Sequence, residues 1–135
     1  MKDVIKWIVL GTVLAFTGCM HNATHTSPAT LAPGAADATD ANANQTLQTL
    51  HAFAAGLSTS IQNGTLSLTA TQRSAVDTMN KVLNTADLAE QTYHTCMTTG
   101  SAPVSSTCLT ASGLTAALTA ATTTFASTQT SLLGQ

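Results

Sequence analysis

The chain has 135 residues, of which 7% are charged and 4% aromatic, with three cysteines and a formal net charge of -2; this leaves room for one small domain and its targeting segment and excludes a multidomain enzyme. Threonine (27 residues) and alanine (23) fill over a third of the chain, which argues against a large pocket walled by aromatic rings. The only basic residues are Lys2, Lys6, Arg73 and Lys81, too few to neutralise a run of phosphates, so no nucleic-acid partner is expected.

Residues 1–18 read as an export signal. Met1 to Lys6 holds two lysines, Trp7 to Phe16 is almost wholly apolar, and the small residues Thr17 and Gly18 precede Cys19. Basic, apolar and small segments in that order are what a secretory signal requires. The ten residues of the apolar run form a helix of only ~15 Å, against ~30 Å for a bilayer core, so a transmembrane anchor is the poorer reading.

The residues Phe16-Thr17-Gly18-Cys19 resemble the lipobox of bacterial lipoproteins, with Phe16 in place of the usual leucine and Thr17 in place of the commoner alanine or serine. The resemblance covers the export segment alone. It implies that the Cys19 thiol receives a diacylglycerol, that the signal is cut before Cys19, and that the new amino group is acylated, for example with palmitate. Two or three acyl chains, at ~0.8 kcal/mol per buried methylene, hold a protein stably on a membrane. Met20 stands where the family's inner-membrane retention signal has aspartate, which implies the outer membrane, facing the periplasm. If Cys19 carries lipid, Cys96 and Cys108 remain as a pair in an oxidising compartment, and a disulfide is the expectation.

Residues 19–40 carry no apolar period, and Pro28, Pro33 and Gly34 interrupt any regular element, so a flexible linker is predicted. His21 and His25 are four apart, but a proline-flanked segment is a poor place for a metal.

Residues 41–135 are predicted to form an all-α, antiparallel three-helix bundle. Leu47, Leu50, Ala54, Leu57 and Ile61 are spaced alternately three and four apart, the seam of a packed helix, and Asn63-Gly64 supplies its stop. A second helix opens on Thr69-x-x-Gln72, the form of a capping box, and carries Val76, Met79, Leu83, Ala86, Glu90, Tyr93 and Met97 up to Gly100 and Pro103. A third carries Ala111, Leu114, Leu118, Ala121, Phe125, Thr128 and Leu132. Its run Thr122–Thr124 has poor helix propensity and suits a strand, but the three-four period persists where strict alternation does not.

Register follows from pairing the seams. Across the second turn, facing residues have numbers adding to 204, as in Tyr93 with Ala111, Leu83 with Ala121 and Met79 with Phe125; Cys96 and Cys108, outside the seams, obey the same rule. Across the first turn the number is 133, pairing Leu57 with Val76, Leu50 with Leu83 and Leu47 with Ala86.

No phosphate-binding loop, zinc-type cysteine pair, haem attachment run or nucleophile elbow is present, so no catalytic residue, resident metal or cofactor is expected. Glu90 interrupts the apolar stripe of the second helix, and this register sets it opposite Ala43, near the positive start of the first helix, with His94 one turn on. The bland reading is a structural carboxylate. The sharper one is a metal-binding module built on Glu90 and His94, with Asp87 and Met97 as further donors. His51 reads as a wet boundary histidine, Met79 and Met97 as core filling, and Tyr93 as a packed ring whose hydroxyl reaches water.

After Glu90 no charged side chain occurs, so the third helix shows solvent only small neutral residues. Ala116, Ala120 and Thr123 mark a candidate interaction surface for a protein partner or a second copy, because small residues admit close approach and no charge needs desolvating. The expected function is therefore a lipid-anchored envelope protein with a structural or interaction role. The metal-binding module is the first alternative. A prophage-type lipoprotein that blocks phage from entering the cell or assists lysis is the second, though no residue argues for it.

Overall fold

A computed structural model describes residues 34–101 and 107–133, which form three α-helices with no strand among them. The export signal, Cys19, most of the predicted linker and Pro103 lie outside the described residues.

Helix α1 spans Ala38–Gln62 and so begins ahead of the boundary predicted at residue 41. Asp37 is the reason. Its backbone is extended, its carboxylate accepts the Asp40 N–H at 2.8 Å, and its carbonyl accepts the Ala41 N–H at 3.0 Å, so it caps a helix that carries a second acid in its first turn. The helix stops where predicted. Gly64 takes the left-handed conformation (φ +73°) and its N–H reaches the Ile61 carbonyl at 3.2 Å.

Helix α2 (Ala70–Thr99) opens on the predicted capping box. Thr69 Oγ1 accepts the Gln72 N–H at 3.3 Å and Gln72 Oε1 accepts the Thr69 N–H at 2.9 Å. Gly100 (φ +72°) ends it with an N–H bond to the Cys96 carbonyl. Helix α3 (Ala111–Leu133) starts on Thr110, whose hydroxyl accepts the Gly113 N–H and whose carbonyl accepts the Leu114 N–H. Its threonines do not break it. The hydroxyls of Thr115, Thr119, Thr124 and Thr130 each donate to the carbonyl four residues back, at 2.8–3.0 Å, leaving the helical ladder intact.

The helices pack antiparallel, α2 most extensively against α3. Between α2 and α3 the predicted pairing of Cys96 with Cys108 is observed, their Cα atoms 5.6 Å apart, and at the other end Gln72 Nε2 donates to the Ser131 carbonyl at 3.1 Å, one residue from the expected register. Between α1 and α2 polar contacts pair Asn44 with Glu90 and Asp40 with His94, one residue from the expected register, and His51 reaches diagonally to Asp87, five residues from it.

The main core gathers Leu47, Leu50 and Leu57 of α1, Met79, Leu83 and Ala86 of α2, and Ala121, Phe125 and Leu132 of α3, with Leu68 of the first turn. The rings of Phe53 and Phe125 are tilted 59° to one another with centroids 5.6 Å apart. A smaller cluster of Ala43, Tyr93 and Leu114 fills the disulfide end. Two expectations fail there. Ala111, the first residue of α3, is exposed, and Leu114 takes its place beside Tyr93. Met97 is 51% exposed rather than core filling, because the last turn of α2 runs past the starts of both α1 and α3. No helix among the described residues is long and apolar enough to cross a membrane.

Candidate functional site

The polar chemistry of the domain collects at the disulfide end, where α1 begins and α2 finishes. Capping α1 at Asp37 turns the next acid, Asp40, inward on the first turn. Glu90 and His94, four apart, lie on one face of α2 against it. One ligand-capable atom from each of Asp40, Glu90 and His94 lies within 4.8 Å of the others.

Asp40 is fully buried, an expensive state for a carboxylate unless it is paired. Its Oδ2 accepts the Ala36 N–H at 2.7 Å and the Nδ1 proton of His94 at 2.6 Å. Its Oδ1 is also buried and has no hydrogen-bond partner. Glu90 is half-buried and accepts from Asn44 Nδ2 at 2.8 Å. Burial, and then the negative charge of Asp40, push the Glu90 carboxyl above the ordinary glutamate range. The hydrogen bond to Asp40 raises the His94 imidazole, against a smaller opposing effect of burial.

A second pair braces the first. Tyr93 is buried and its hydroxyl donates to Asp37 Oδ2 at 2.6 Å, so it does not serve water as expected. That bond, followed by the Asp40 N–H, holds the Asp37 carboxyl below its ordinary value and raises the tyrosine in turn.

The structure thus brings together Glu90 and His94, as the sharper sequence reading required, but their third member is Asp40. Asp87 faces the other way and pairs with the exposed His51, Oδ1 to Nε2 2.9 Å, so His51 is wet as predicted and Asp87 is no donor to the cluster. Met97 points to solvent beyond it. The signal for Asp40 was present in Asp37-x-x-Asp40, a capping residue followed at the third position by an acid, the form of a helix start.

The second candidate surface is the outer side of α3. Ala116, Ala120 and Thr123 are exposed and line a shallow face together with Ser112, Thr115 and Thr119. Neither α3 nor the segment before it carries a charged side chain.

Compared with known proteins, the chain matches no family model, no curated protein and no solved structure.

Proposed function

We propose that this chain is a lipid-anchored envelope protein whose helical domain has a structural or protein-interaction role. The supporting observation is the Cys96–Cys108 bond, which accounts for two of the three cysteines and leaves Cys19, in its lipobox-like setting, as the one thiol for a lipid. Seventeen residues lie between Cys19 and the cap at Asp37. Fully extended, such a segment reaches about 60 Å. In this reading the end of the bundle that carries Asp40, Glu90 and His94 is the end nearest the bilayer, on the periplasmic face of an outer membrane. The uncharged face of α3 around Ala116, Ala120 and Thr123 is left to meet a protein partner or a second copy.

Intact mass analysis of native protein tests the anchor. The expected species begins at Cys19 with a diacylglyceryl thioether and an acylated amino group. A free Cys19 thiol or an uncleaved signal refutes it. The variant carrying Ala116→Glu and Ala120→Glu tests the surface: both positions are exposed, so the fold survives, and an unchanged oligomeric state and unchanged crosslinking pattern in cells reject the interface.

A further inference from the structure

We infer that Asp40, Glu90 and His94 form a binding site for one divalent transition-metal cation of the zinc class, a property independent of the lipid anchor proposed above. Three observations carry it. The donor atoms already converge within 4.8 Å from two helices, and in a tetrahedral zinc site bonds of ~2.1 Å set neighbouring donors roughly 3.4 Å apart, so the widest separation has to close by about 1.4 Å at most and the 2.6 Å His94–Asp40 contact to open by about 0.8 Å. The Oδ1 atom of Asp40, on a fully buried side chain, receives no hydrogen bond from a fixed donor, the carboxyl facing Asp40 being that of Glu90, and a cation supplies the missing partner. Charge also balances once the His94 proton has left: two carboxylates and an imidazole offer -2 to a +2 ion.

No lysine or arginine competes for that place; the one cation there is His94 itself when protonated, held by Asp40 at 2.6 Å. Among the described residues the basic side chains are Arg73, whose Nε donates to the Leu68 carbonyl at the far end of α2, and Lys81, nine residues before Glu90 and so about 13 Å away along the helix. The outer partners are those a metal site needs. Asn44 fixes the Glu90 carboxylate, the Ala36 N–H fixes Asp40 Oδ2, and Asp37 with Tyr93 fixes the turn that carries Asp40. On binding, the Nδ1 proton of His94 leaves to solvent and the cation replaces the Nδ1–H to Oδ2 hydrogen bond. Three protein donors leave at least one coordination position for water. Glu90 and His94 are both partly exposed, so the ion has a way in.

Isothermal titration of the full chain, purified in detergent and stripped of metal, with zinc chloride reads the affinity and stoichiometry. The expected result is one ion per chain. His94→Gln and Glu90→Gln should each weaken binding by about 100-fold or more, since even loss of an outer partner costs 10–100-fold. Glu90→Gln keeps an oxygen for Asn44, and circular dichroism confirms that each variant is folded. Removing the other histidines, in His51→Gln and in the pair His21→Gln with His25→Gln, should leave the affinity unchanged. Absorption of the cobalt-loaded protein, with tetrahedral d–d bands that vanish in His94→Gln, checks the donor set directly. Zinc affinity no better than millimolar, affinity insensitive to His94→Gln and Glu90→Gln, or affinity lost with His51 or the His21 and His25 pair, overturns the inference.

Discussion

Reducing the Cys96–Cys108 bond should destabilise the domain by an amount set by the loop it closes. The sequence separation is 12, and for a loop of that size the chain-entropy relation gives about 3 kcal/mol at 25 °C. Cys108 is exposed and Cys96 half-buried, so deleting the sulfur atoms themselves costs little and the loss reports the crosslink. At about 4–8 °C per kcal/mol for a domain of this size, the melting temperature should fall by roughly 12–24 °C. Thermal melts followed by circular dichroism, with and without reductant, measure it. The variant carrying Cys96→Ser and Cys108→Ser should melt with the reduced wild type and ignore reductant. The denaturant slope should rise on reduction, because the unlinked chain exposes more surface when it unfolds. A drop below about 4 °C, or a double variant as stable as the oxidised protein, would refute the view that this bridge limits the unfolded ensemble.

Two further perturbations test the packing and the polar end. Phe125→Ala removes a fully enclosed ring and its contact with Phe53 and should cost about 3–5 kcal/mol in urea unfolding; a loss under 1 kcal/mol would mean that Phe125 is not central. Tyr93→Phe should cost about 1 kcal/mol at neutral pH by removing the bond to Asp37, a modest figure because Asp37 is only half-buried. Asp37 is depressed in the folded state, so its contribution is full above 3.8, its ordinary value, and is lost as pH falls through the lower folded pKa. The gap between Tyr93→Phe and wild type in denaturant melts should therefore close below pH 3.8; a gap that stays constant to pH 2 contradicts the assignment.

The helical framework was legible because it is written in local signals. The three-four spacing from Leu47 to Ile61, the Thr69 and Gln72 box, and the Asn63-Gly64 stop each act within a turn or two, and each was found in place. The register of α2 on α3 followed from the same spacing to within a residue at the open end, and it paired the cysteines. What escaped was set by distance along the chain. Asp40 earns its burial from His94, 54 residues away, and no apolar period marks a turn whose inward residue is an acid. Tyr93 was expected to present its hydroxyl to water because nothing nearby in sequence binds it, whereas its acceptor is the cap of a different helix. Met97 continued a regular stripe, but a stripe does not reveal where the neighbouring helices begin.

The hydroxyls that Thr115, Thr119, Thr124 and Thr130 turn back on their own helix have spent their protons inside the molecule. Where they lie, the exterior of α3 is therefore mostly methyl groups and oxygen lone pairs, less thirsty than so many alcohols suggest. A molecule that settles along it meets more acceptors than donors, and is held by its own N–H or O–H groups and by close fit rather than by ionic attraction.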